Sequence, residues 1–235
     1  MNTIMQNAAW IFSGVGGTIV GILLTMIIDR IKQRKKKINA DYTNFEIGGQ
    51  TYGVYRRGEN IPAFINSIKT SEKVMCISYA PFQMLFSYTP YFTEALENGC
   101  EMRFLIANSD SLLLKQISAI EDRNTDSIGN AALESVSHLN TIVKKASKSK
   151  KTGKIEARFY DTEIRNPITI FIDKYGKQKA FLTVSTPPKR SIECFMLEYT
   201  GESCTDLINH FEAIWNLHND DIALISSDRE CLQDN

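Results

Sequence analysis

The chain is predicted to fold as an α/β domain with a mixed sheet flanked by helices, set behind one N-terminal transmembrane helix. Three observations predict it. Residues 8–28 run 21 positions without a charge. Two short apolar runs, 74–78 and 102–107, bracket a helix-patterned stretch, the order of a βαβ unit. The later part of the chain changes to a period of two and then closes on an amphipathic helix.

A helix over 8–28 would be about 31 Å long, the hydrocarbon thickness of a bilayer. Ten of its residues are Ile, Leu, Val or Phe. Together these favour insertion by about 3 to 6 kcal/mol before the glycines subtract. The segment starts uncharged and exits through Met26, Ile27, Ile28 and Asp29, which lacks the basic start and small-residue exit of a cleavable signal. Residues 1–7 carry no charged side chain, whereas Arg30, Lys32, Arg34, Lys35, Lys36 and Lys37 follow the span. The positive-inside rule then predicts a single-pass protein of the cell (inner) membrane, with its N-terminus outside and the following domain in the cytoplasm. Membrane is thus a predicted partner, and the basic collar suits anionic lipid. Ala9, Ser13, Gly17, Gly21 and Thr25 recur every fourth residue, a face that suits close helix packing and a homo-oligomer.

Residues 29–58 read as a basic juxtamembrane segment and a linker leading into irregular or edge-strand structure, 59–219 as the α/β domain, and 220–235 as a polar tail. In the domain, Ile61, Phe64, Ile65 and Ile68 follow helical spacing with Asn60 as N-cap. Val74 to Ser78 is predicted as a buried strand. Pro90 to Asn98 follows as a helix capped by Thr89 and stopped by Gly99, and Met102 to Ala107 as a second strand. Two helices, Ser111 to Asp122 and Asn130 to Ala146, come next. Ile155, Ala157 and Phe159 alternate with polar neighbours; Ile168 to Asp173 and Lys179 to Ser185 form a hairpin about Gly176; and Cys194 to Tyr199 is the last strand. Leu207, Phe211, Ile214, Trp215 and His218 mark the closing helix.

Formal charge is zero over 235 residues. Residues 1–37 hold six of the 27 basic and one of the 27 acidic side chains, so the remainder has 21 against 26, a net of −5. That balance argues against nucleic acid as a general partner. Lys144, Lys145, Lys148, Lys150, Lys151 and Lys154 form a local basic patch, which is either a solvated helix end or a seat for phosphate groups. Five cysteines without a CxxC pair read as reduced structural thiols. His138, His210 and His218 stand at no metal-ligand spacing, no phosphate-loop, GxGxxG or GxSxG motif occurs, and no metal or cofactor is predicted.

The strand Val74-Met75-Cys76-Ile77-Ser78, the helix end Glu94-Ala95-Leu96-Glu97-Asn98-Gly99 and the strand Glu101-Met102-Arg103-Phe104-Leu105-Ile106 resemble one repeat of the phospholipase D-like superfamily. In that family an AL-x-x-G-V-x-V-R-x-L stretch precedes a helical insert, and a later strand carries HxK(x)4D. The matching strand here is Asn166 to Asp173, with Asn166 at the His position and Ile168 at the Lys position; Asp173 alone matches. The resemblance covers residues 60–216. The family's His is the phosphoryl nucleophile and its Lys binds phosphate, so the resemblance implies a degenerate domain with no catalytic residues. The closing Phe211-Glu212-Ala213-Ile214-Trp215 is similar to the end of such domains in bacterial proteins.

The resulting expectation is a membrane-anchored cytoplasmic binding or signalling module, a pseudoenzyme recognising a phosphate-bearing ligand or protein. Arg165, Asn166, Asp173 and Ser185 would line its site. Two alternatives stand beside it. One is a membrane-bound phosphodiesterase or nuclease of altered mechanism using His138. The other is a defence or toxin-like effector whose transmembrane helix perturbs the bilayer.

Overall fold

The computed structural model describes residues 43–47, 50–55, 61–146, 152–161, 166–184, 196–223 and 225, the first two stretches as backbone. The chain divides into two units, Met1–Thr43 and Asn44–Asn235. The predicted span, its small-residue face and its basic collar lie outside the described residues. Among the described residues no helix is long and apolar enough to cross a membrane.

The elements of the second unit, with the first residue of β1 just before it, follow in the order β1 (Thr43–Ile47), β2 (Gln50–Tyr55), α1 (Ile61–Thr70), β3 (Ser71–Ser78), α2 (Phe82–Glu97), β4 (Glu101–Ala107), α3 (Leu112–Ile120), α4 (Thr125–Ala146), β5 (Ile155–Tyr160), β6 (Ile168–Asp173), β7 (Gln178–Thr183), β8 (Met196–Thr200), α5 (Ser203–Leu217) and β9 (Ile222–Ala223). The strands make one mixed sheet in the order β1-β2-β8-β7-β6-β3-β4-β5-β9. β3, β4 and β5 run parallel, joined by helical crossovers, and the flanking strands pair antiparallel.

One reading of the sequence gains detail and two need correction. The stretch read as a linker leading into irregular or edge-strand structure forms β1 and β2, and β2 gains its place by pairing Tyr52 to Tyr199 and Tyr55 to Met196 across to β8. Glycines at 48, 49 and 53 break the alternation that would have marked them. The tail contributes β9, with Ala223 opposite Ala157. The helix expected from Pro90 begins eight residues earlier, at Phe82, and is kinked at Tyr88 (φ −112°, ψ 16°). Pro90 has no N–H to donate to the Phe86 carbonyl. The Thr89 hydroxyl lies 2.9 Å from that oxygen and 2.9 Å from the Leu85 carbonyl, so Thr89 mends a break inside the helix instead of capping its start.

Two faces of the sheet carry the core. Toward α1 and α2 point Phe171 and Phe181, whose rings meet Phe64 at 5.2 and 5.3 Å, and Phe104, which meets Phe92 at 6.4 Å. Toward α5 point Arg103, Glu156 and Arg158, the intervening positions of β4 and β5. Arg103 pairs with Glu212 at 3.2 Å, and the Arg158 guanidinium stacks 4.0 Å from the Trp215 ring. Gly153 N–H donates to the Leu96 carbonyl at 2.7 Å, and a Cβ there would overlap the Cys100 carbonyl. The chain therefore enters β5 backbone against backbone with the α2–β4 turn, where Gly99 holds φ +95°.

Candidate functional site at the carboxyl ends of the parallel strands

Because β3, β4 and β5 run parallel, their ends at Ser78, Ala107 and Tyr160 share one edge of the sheet. β6 runs the other way and starts beside the end of β3, with Ile77 opposite Ile168. Asn166, two residues earlier, stands at that same edge. In sheets of this kind the crevice outside the carboxyl ends is where ligands bind. The predicted βαβ unit is the sequence signal for this edge, and of the expected site residues that are described only Asn166 lies on it.

Neutral hydrogen-bonding groups dominate the edge. Ser78 ends β3; the Asn108 side chain accepts from the Asp110 N–H at 3.3 Å, and the Ser111 hydroxyl caps α3 by accepting from Leu114 N–H at 3.3 Å. The Tyr79 hydroxyl donates to Glu121 Oε1 at 3.1 Å, and Glu121 in turn pairs with Arg123 at 3.3 Å. The Tyr160 hydroxyl is buried with no hydrogen-bond partner, and burial raises its pKa, so the phenol stays neutral. Ile168 is 5% exposed, its side chain part of the core.

The four residues expected to form the site do not all gather here. Arg165 and Ser185 lie outside the described residues. Asp173 sits at the opposite end of β6, paired with Ser71 at the start of β3. It lies seven positions after Asn166, roughly 23 Å at ~3.3 Å per residue. Its Oδ1 accepts from the N–H groups of Tyr175 and Lys177, both at 2.9 Å, and so closes the β6–β7 turn. The one residue that matches the HxK(x)4D pattern is thus a turn residue by geometry.

The described lysines of the basic cluster, Lys144, Lys145 and Lys154, also lie away from the carboxyl edge. α4 runs back along the sheet, so Lys144 and Lys145 in its last turn stand toward the amino ends of the strands. Lys154, just before β5, pairs with Glu156 at 2.6 Å. That hydrogen bond, with the Lys154, Arg103 and Arg158 charges, holds the Glu156 carboxyl below its usual range despite burial. Lys148, Lys150 and Lys151 lie outside the described residues.

His138 packs on α2 and not at the strand ends. Its Nε2 is 2.7 Å from Thr89 Oγ1, and its ring lies 5.8 Å from Phe82 and 5.9 Å from Phe86. With the Thr89 proton directed to the Leu85 and Phe86 carbonyls, Nε2 is the donor of this pair. Burial, then the Lys145 charge, lowers the pKa of His138. Cys76 and Cys100 are pushed up to about 12 and Cys204 to about 11, chiefly by burial, so these three are inert thiols. Cys194 and Cys231 lie outside the described residues. Among the described residues no three His, Cys, Asp or Glu side chains gather as a metal site.

Neither a protein-family model nor a curated protein matches the chain. Among solved structures, the chain is similar to TrmBL2, an archaeal chromatin protein with a novel mode of DNA binding. The identity is 13% and the TM-score 0.44, over 88% of this chain and 69% of that one. It is also similar to Nuc from Salmonella typhimurium, a phospholipase D family member, at 12% identity and a TM-score of 0.43, over 72% of this chain and 96% of that one. At such values the likeness carries no inference about activity.

Proposed function

We propose that the protein is a single-pass inner-membrane protein whose cytoplasmic α/β domain, a degenerate phospholipase D-like repeat, binds a phosphate-bearing ligand at the carboxyl edge without cleaving it. The observation that carries this reading is the pair at the start of β6: Asn166 at the edge, and Ile168 buried beneath it. An amide offers two N–H donors to a phosphate oxygen but cannot form the covalent phosphoryl intermediate that an imidazole forms. An alkyl group at the next inward position supplies core packing where the family's lysine would supply charge.

The test uses the full chain in detergent. Single-stranded DNA and a nitrophenyl phosphodiester should remain uncleaved, while inorganic pyrophosphate binds by equilibrium dialysis and Asn166→Leu abolishes that binding with unchanged circular dichroism. Cleavage that disappears in His138→Ala would instead establish an enzyme. The anchor is tested separately: the intact chain should resist carbonate extraction from membranes, and deletion of residues 1–37 should release it.

A further inference from the structure

The first part of α2, Phe82 to Tyr91, contains no charged residue, yet much of it faces outward: Gln83, Phe86, Ser87 and Pro90 are exposed, and Phe86 is 65% exposed. Phe82 and Phe86 lie 5.9 Å apart and both lean on His138 of α4. Nε2 lies 2.7 Å from Thr89 Oγ1, and burial with the Lys145 charge lowers the pKa of that imidazole, which favours its neutral form at the centre of the cluster. Lys145 stands two turns beyond His138 on the same side of α4, near enough for its charge to act on the ring, and Lys144 is beside it. Glu134, one turn before His138, is the acidic group on that side of the helix.

An exposed cluster of this kind marks a contact surface. Aromatic rings at the centre with lysines at one rim is the chemistry of a face that rests in the headgroup layer of an anionic bilayer. The chain also limits the distance: the 14 residues between Ile28 and Thr43 reach at most about 50 Å when extended. We propose that the Phe82–Phe86–His138 cluster and Lys145 form a membrane-contact face that docks the domain on anionic lipid. The proposal rests on the membrane-anchored reading of the chain.

The test separates the two. The full chain is reconstituted in phosphatidylcholine vesicles containing about 30% phosphatidylglycerol, and tryptophan emission is quenched with brominated lipid. The chain has two tryptophans, Trp10 in the predicted span and Trp215 in the core. Quenching of Trp10 in the parent chain reports the anchor. In a Trp10→Phe background, Phe86→Trp should be blue-shifted and quenched at least about twofold more than Tyr175→Trp. Tyr175 is the control because it is 81% exposed on the β6–β7 turn. Lys144→Glu with Lys145→Glu, or vesicles of phosphatidylcholine alone, should reduce the difference severalfold. Equal quenching at 86 and 175, with Trp10 quenched, overturns the docking face and leaves the anchor standing. An unquenched Trp10 overturns the anchor. A blue shift at 86 that persists in detergent, with a dimer mass by sedimentation, assigns the face to a second copy and overturns the lipid proposal.

Discussion

The two faces of the sheet are closed by different chemistry. Under α1 and α2 lies an aromatic layer in which Phe64, Phe171, Phe181, Phe92 and Phe104 pack edge to face. Under α5 two guanidinium groups, Arg103 and Arg158, take both sides of one problem: they cover Trp215 and at the same time neutralise Glu212 and Glu156. Arg158 also donates to the Trp215 carbonyl and to Asn219 Oδ1, both at 2.5 Å, tying the end of α5 to β5. The contrast follows from strand alternation. In β4 and β5 the residues pointing to α2 and α4 are Met102, Phe104, Ile155 and Ala157, while those pointing to α5 are Arg103, Glu156 and Arg158. One side is held by area removed from water alone, and the other adds partly hydrated polar groups to the buried Phe211, Ile214 and Trp215 of α5.

Substitutions on the two sides should therefore differ in size. Phe104→Ala on the aromatic side removes a side chain with no exposure and leaves a cavity against Phe92, so it should cost about 3–5 kcal/mol in a denaturant titration. A loss under 1 kcal/mol would mean that this layer is not the stabilising one. Arg158→Met keeps the stem and removes the stacking and both hydrogen bonds, for roughly 1–2 kcal/mol in the same titration. A loss as large as that of Phe104→Ala would erase the contrast.

The smallest effect concerns protonation on the aromatic side. The fold lowers the pKa of His138, so the unfolded chain takes up its proton first as pH falls. The contribution of the neutral imidazole is complete above its unfolded value of about 6.5 and is lost as pH drops from there through the folded value. Denaturant midpoints of the parent chain and His138→Gln should diverge in their pH dependence between about 7.5 and 5, with the variant showing the shallower fall. Identical slopes would show that burial and the Lys145 charge do not separate the folded and unfolded pKa values of His138.

The strands that frame the candidate site could be placed from sequence, whereas the site's residues, Asn166 apart, could not, and the reason is definite. The apolar runs at 74–78 and 102–107 identify β3 and β4 because buried parallel strands have no polar face, and alternation identifies β5. The placement of β6 also follows from its pattern. Its direction does not. That Asn166 meets the carboxyl ends while Asp173 lies a strand length away depends on β6 pairing antiparallel to β3, which no local pattern encodes. Tyr160 is a similar case, since an alternating strand says nothing about whether its last hydroxyl finds a partner.

By itself the sequence determined the charge-free stretch at 8–28 with its basic flank, the helix–strand order of the domain, and the absence of His and Lys at positions 166 and 168. These are local properties: composition, periodicity and residue identity. The tertiary structure alone decided that the glycine-broken β2 is a strand, that the tail adds β9, that Thr89 repairs a kink, and that Asp173 closes a turn far from Asn166. Each of these depends on a partner distant in the chain or on a chain reversal, and pairing energy between distant segments leaves no mark in either segment read alone.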